Sequence, residues 1–112
     1  MSQQNIAILK LAVTASADVA ASRFVTVAGA QAGAGANALG VSEFSAASGE
    51  MFPAVALGTA IVEAGAAFAV GAALQADADG KAITKDAGAT VARALQAASA
   101  EGDLVEAVII PN

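Results

Sequence analysis

Large and small apolar residues alternate along much of this chain. In residues 54–62, "AVALGTAIV", Val55, Leu57, Thr59 and Ile61 alternate with Ala54, Ala56, Gly58 and Ala60. In residues 66–74, "AAFAVGAAL", Phe68, Val70 and Leu74 share a parity, with Ala67, Ala69, Gly71 and Ala73 between them. A period of two is the mark of a strand with two unlike faces. A helix through the same residues would stack Gly58, Thr59 and Val62 on one face, a poor apolar stripe. Its glycines at 58, 65 and 71 would each cost about 1 kcal/mol. The segments 6–14 (IAILKLAVT), 23–27 (RFVTV), 89–95 (ATVARAL) and 103–110 (DLVEAVII) are further strand-like runs, the last ended by Pro111. Turn clusters rich in Gly, Asp and Ser separate them. The pattern predicts an all-β fold, a small β-barrel or β-sandwich of short strands with Gly/Asp turns and little helix. Residues 16–22 could form one helical turn, and residues 92–101 could form a short helix.

Composition adds an assembly argument. Of the 112 residues, 57% are hydrophobic and only 13% charged, about half the charged fraction of an ordinary soluble domain. A surface so poor in charge predicts cover by other subunits or by a partner. The length predicts one domain over residues 1–112, with residues 1–20 an N-terminal arm or an extra strand. Residues 54–76 are long enough to span a bilayer. However, they are mostly Ala and Gly and carry Glu63 near the middle, which argues against a membrane span.

The chemistry is narrow. Histidine and cysteine are absent, so Cys/His zinc sites and Ser-His-Asp or Cys-His catalysis are excluded. The five cations, Lys10, Arg23, Lys81, Lys85 and Arg93, are scattered and the net charge is −5. Phosphate binding needs clustered cations, so direct nucleic-acid contact is not expected, nor is binding to an anionic membrane. The N-terminus lacks the marks of a signal peptide. No two carboxylates are spaced for acid-base work, and neither an enzyme nor a cofactor is predicted.

Two motifs invite specific readings. In "QADADGKAITKD", a calcium loop with Gly80 at its sixth position would take its ligands from Gln75, Asp77, Asp79 and Asp86. The first should be Asp and the last Glu. The favoured reading is a hairpin with Asp79-Gly80 as a two-residue type I′ turn. In residues 29–42, "GAQAGAGANALGVS", Val41 stands where a phosphate loop needs Lys, and Ala38 where a dinucleotide fingerprint needs its third Gly. A surface loop that orders against a partner is the expectation.

From about Gly49 to Pro111 the chain resembles the small capsid cement, or decoration, proteins of tailed bacteriophages. The likeness lies in Gly49, Gly58, Gly65, Gly71, Gly80, Ala94, Leu95, Ala97, Ala98, Gly102, Asp103 and Val105, with Ala92 where the family often has Gly. The resemblance implies a non-enzymatic structural protein on the outer surface of the virion, made in the host cytoplasm. It implies a homotrimer bound to the major capsid protein and stabilising the expanded lattice. Within that expectation the candidate capsid contacts are Ser2, Gln3, Gln4, Asn5 and Ile6, in a segment able to add a strand to a sheet edge. Gly33, Gly35 and Asn37 of the Gly-rich loop are further candidates. A self-assembling coat or filament subunit unrelated to phage heads is the alternative.

Overall fold

A computed structural model describes residues 6–111 of the chain. Eight strands follow one another: β1 (Ala7–Thr14), β2 (Phe24–Val25), β3 (Gly40–Ser42), β4 (Met51–Glu63), β5 (Ala73–Ala76), β6 (Ala82–Thr84), β7 (Ala92–Ala94) and β8 (Leu104–Ile109). There is no helix among the described residues. All strand pairs are antiparallel, and the sheet runs β2-β3-β4-β8-β7-β5-β6, with β1 paired to β4 off that path. The all-β class expected from the pattern is therefore present. The sheet is not closed into a barrel. Its two ends meet where the Phe24 N–H donates to the Gly80 carbonyl at 2.8 Å and where the Asp79 carbonyl accepts from Arg23 Nη1 and Gln31 Nε2.

β4 organises the molecule. Its first half pairs with β1 and β3, its second half with β8. Phe52 and Ala54 enter a smaller core with Val13, Val19 and Val25. Val55, Ala60 and Val62 enter the main core with Phe24, Leu74, Val91 and Val105. The strand changes cores between Ala54 and Val55. Farther along, Gly58 has a φ of +104° that an L residue rarely adopts, and a Cβ there would collide with the Ile6 carbonyl. The stretch 54–76, weighed as a membrane span, is divided between β4, an arch and β5. No helix among the described residues is long and apolar enough to cross a membrane.

The core is built on alanine. Of the 26 buried apolar residues among those described, 13 are Ala, so the layers are held close by small side chains. In 54–62 burial does not follow one parity alone. Ala54 and Ala60 are buried, whereas Leu57 is 37% exposed. The strand expected at 23–27 shrinks to Phe24–Val25, because the chain turns at 27–28. Neither 16–22 nor 92–101 is helical. Each forms an arch pinned by an isolated bridge, Val19 to Ala46 and Phe68 to Ala98.

Those arches reveal an internal duplication. The first unit runs β1, arch, β2, β3, arch, first half of β4. The second runs second half of β4, arch, β5 and β6, β7, arch, β8. Hydrogen bonds recur about fifty residues later, as in a tandem repeat. Val19 and Ala46 exchange bonds of 2.8 and 2.9 Å, and Phe68 and Ala98 do so at 3.0 Å. Ala15 N–H donates to the Glu50 carbonyl (2.7 Å) and Ala64 N–H to the Asp103 carbonyl (2.8 Å). Ser22 N–H donates to the Ser42 carbonyl and Gly71 N–H to the Ala94 carbonyl, both at 2.8 Å. Ser22 has φ +63° and Gly71 +85°, so a serine holds in one unit the left-handed position that glycine holds in the other.

An ionic network ties the units together. Arg23 Nε donates to Glu63 Oε1 (3.2 Å), and Arg23 Nη1 to the Asp79 carbonyl (3.0 Å). Lys81 Nζ lies 3.5 Å from Glu63 Oε2 and 3.1 Å from Glu101 Oε2. Arg23, Lys81 and Glu63 are mostly buried, so the geometry is constrained and solvent screening is reduced. The Glu101 hydrogen bond, its charge and that of Glu63 raise the Lys81 pKa above 10.5 against the opposing effect of desolvation.

Candidate functional site

The hairpin between β5 and β6 is present, but its turn is not the two-residue one. Ala76 pairs with Ala82, and Asp77 N–H donates to the Lys81 carbonyl at 2.8 Å. The loop therefore holds three residues, 78–80, with Gly80 alone at positive φ (+78°). That is the geometry of a type I turn followed by a left-handed glycine. Asp77 selects it: its Oδ1 accepts the N–H groups of Asp79 (2.8 Å) and Lys81 (2.9 Å). Gln75 is buried, and its Oε1 accepts the N–H groups of Asp86 and Gly88. The four positions of a calcium loop are thus committed to the backbone or apart from one another. No cluster of three or more acidic side chains among the described residues could hold a metal ion.

The cations are similarly engaged. Lys10 pairs with Glu43 at 2.8 Å, Arg23 and Lys81 belong to the ionic network, Lys85 donates to the Asp86 carbonyl and Arg93 to the Gly71 carbonyl. A hollow of about 480 Å³ between the first two arches is lined by Asp18, Gln31 and Glu50. Its polar atoms hold the arches: Asp18 accepts from Ser48 N–H, Gln31 from Ala20 N–H and Glu50 from Ala47 N–H.

The surface feature that the fold leaves unsatisfied is apolar. Where the smaller core reaches the surface, a groove of about 630 Å³ opens between the β1–β4 ribbon and the loops at 26–28 and 37–39. Leu9, Leu11, Val27, Leu57 and Pro111 form its apolar lining, and Asn37 and Thr26 are its polar members. No ionisable side chain among the described residues lines it. On the other side of the ribbon a hollow of about 330 Å³ lies among Lys10, Ala12, Met51 and Pro53. Met51 is 67% exposed and Ile8 76%. The ribbon is thus apolar on both sides, which the fold itself does not bury.

The sequence-derived candidates fall in different places. Ser2, Gln3, Gln4 and Asn5 lie outside the described residues. Ile6 is exposed, but its backbone is tied to β4: its N–H donates to Thr59 Oγ1 and its carbonyl accepts from Thr59 N–H, both at 2.9 Å. Asn37 lines the groove. Gly33 is exposed with open space around it. Gly35 packs on Gly88 and its N–H donates to the Ala76 carbonyl at 2.8 Å, an internal packing position. The groove residues Leu9, Leu11, Val27 and Leu57 were not among the candidates. Their signal was the broken alternation in Ile8-Leu9, two large apolar residues side by side in a strand.

The phage cement protein family matches residues 2–109 of the chain. Among solved structures, the chain is similar to the N base of head fiber gp8.5 of bacteriophage phi29. The TM-score is 0.76 at 24% identity, covering 91% of this chain and 93% of that one. At that identity the likeness speaks for the fold alone. No curated protein matches the chain.

Proposed function

The chain belongs to the phage cement protein family, a structural and non-enzymatic class of phage-head protein, and we propose that it binds the outer surface of the head and stabilises the expanded major-capsid lattice. The observation that carries this reading is the family match over residues 2–109. The uncharged apolar groove and the two-sided ribbon support it, because such surfaces suit burial in an assembly. The working unit is a homotrimer, made in the host cytoplasm and added to the shell. Residues 1–5 together with the Gly-rich loop carry the shell contact.

The mechanism is linkage. A ligand that binds the expanded lattice and not the unexpanded or disrupted one stabilises the former by mass action. At a free concentration of 100 times Kd this is worth about 2.7 kcal/mol per site. Many sites on one shell act together. An acidic protein is compatible with the outer face, which need not touch packaged DNA. The test is thermal rupture of heads lacking this protein, followed by DNA release. Adding the protein should raise the rupture temperature in a saturable way; an unchanged temperature at saturation would exclude stabilisation.

A further inference from the structure

One row of side chains is covered in the first unit and open in the second. Ser42 N–H donates to the Arg23 carbonyl and Ala94 N–H to the Ala72 carbonyl, both at 2.9 Å, so β2 and β3 correspond to β5 and β7. In the first unit Phe24 pairs with Val41, and Val41 with Val55. In the second, Ala73 pairs with Arg93, and Arg93 with Val108. Phe24, Val41 and Val55 are each 1% exposed and belong to the main core. Their counterparts are not covered: Arg93 is exposed, and Ala73 and Val108 are half-buried. A methyl group stands in place of the aromatic ring and a guanidinium in place of the valine. Lys85 continues this row beyond Ala73. Its N–H donates to the Ala73 carbonyl at 2.8 Å, in the register set by Leu74 and Thr84. Directly paired residues share a face of a sheet, so Lys85 and Arg93 flank Ala73, about 10 Å apart at Cα across two strand spacings.

These two cations differ from the other three. Lys10, Arg23 and Lys81 each lie in an ion pair. Lys85 and Arg93 donate to backbone carbonyls, those of Asp86 at 3.1 Å and Gly71 at 2.9 Å. A neutral carbonyl leaves the charge uncompensated. Asp86 follows Lys85 in sequence and Glu106 lies two residues before Val108, but neither forms a salt bridge with Lys85 or Arg93. We infer that the Lys85–Ala73–Arg93 face docks a carboxylate-bearing surface of a partner protein, which on the reading proposed above is the head shell. The inference takes the identity of the partner from that reading and adds the face and its chemistry. Charge selects the occupant. The chain carries −5, so most of its surface repels an acidic partner, whereas this face offers two positive charges that no carboxylate of the chain takes up. Arginine can hold a carboxylate through two parallel hydrogen bonds, and lysine adds a point charge. Two cations are too few for a phosphate backbone, where binding draws on many contacts.

The test measures binding of the full chain to heads lacking the protein, for wild type, Lys85→Gln, Arg93→Gln and the double variant. Ser45→Asp, exposed between β3 and β4, changes the net charge as much as either single variant and is the control. Lys85 and Arg93 are exposed, so every variant should unfold at the wild-type urea midpoint. The double variant should bind heads at least about tenfold more weakly than wild type, and Ser45→Asp should bind like wild type. A double variant that binds like wild type, or no more weakly than Ser45→Asp, would overturn the inference. In a second arm an oligoglutamate peptide is added to the isotope-labelled full chain at low ionic strength, and amide shifts are followed by nuclear magnetic resonance. The expected shifts centre on Ala73, Lys85 and Arg93 and vanish in the double variant. Absent or scattered shifts would overturn the inference, as would equal shifts with duplex DNA, which would make the partner a phosphate backbone. A wild type that shows the peptide shifts but never binds heads would remove the functional proposal and leave this docking face standing. Heads bound equally by wild type and the double variant would do the reverse.

Discussion

Replacing Ala92 with Val separates two explanations of the alanine-rich core by sign. Ala92 is fully buried at the start of β7, paired with Leu74 of β5 and Ile109 of β8. Valine is the better strand former, and on propensity alone the change should stabilise by up to about 1 kcal/mol. Two added carbons would contribute about 1.6 kcal/mol more if there were space for them. The structure points the other way. Half the buried apolar residues are alanine because the layers lie close, and overpacking such a site costs about 1–3 kcal/mol. We therefore predict that Ala92→Val destabilises by about 1–3 kcal/mol in urea unfolding with an unchanged m-value. The same change at Ala12, exposed on β1, should be neutral or stabilising. An Ala92→Val protein as stable as wild type, or more so, would refute close layer packing as the reason for the alanines.

Three further outcomes follow from named positions. Gly58→Ala forces an L residue to φ +104° and its Cβ onto the Ile6 carbonyl, so it should cost at least about 1–3 kcal/mol in urea unfolding and expose the start of β1 to proteolysis. Ser22→Gly installs the residue that the second unit has at the same place, and should stabilise by about 1 kcal/mol; a loss of stability would count against the correspondence of the two arches. Asp103 is held below its ordinary pKa of 3.8 by the Ser99 N–H, the Ser99 hydroxyl and the Ala100 N–H. Its contribution is therefore present above pH 3.8 and lost as the pH falls through the lower folded-state value. Stability of Asp103→Asn measured between pH 5 and about 2 should show a shallower acid slope than wild type.

The long strands were the most legible; β2 and β7 lie inside the strand-like runs 23–27 and 89–95 but are shorter than those runs. β1 and β8 have limits within a residue of the runs read from the sequence, and β4 begins three residues before the run read at 54–62. β3 lies inside the Gly-rich stretch taken for a loop, because its three residues are held by pairing with β2 and β4 rather than by their own propensity. The alternation in 54–62 marked two unlike faces but not which of them is buried; close backbone approach puts Ala54 and Ala60 inside, along with Val55 and Val62. The duplication was hidden by substitution: Val19 corresponds to Phe68 and Ser22 to Gly71, so hydrogen bonds are kept while side chains differ. The turn at 77–81 was misread because Asp77, two residues before Asp79, captures the backbone N–H groups that define it. The apolar groove left only the adjacent pair Ile8-Leu9 as a trace in the sequence, since Val27, Leu57 and Pro111 come together through folding alone.

The proposed role of this chain as a cement on the outside of a phage head is tested most directly by cryo-electron microscopy of expanded heads that lack the protein, after incubation with the purified full chain. The expected result is ordered density on the outer surface at fixed lattice positions, in three-fold clusters, into which the β1–β8 fold docks. Heads that remain bare at saturating protein, or protein that assembles into filaments without them, would contradict it.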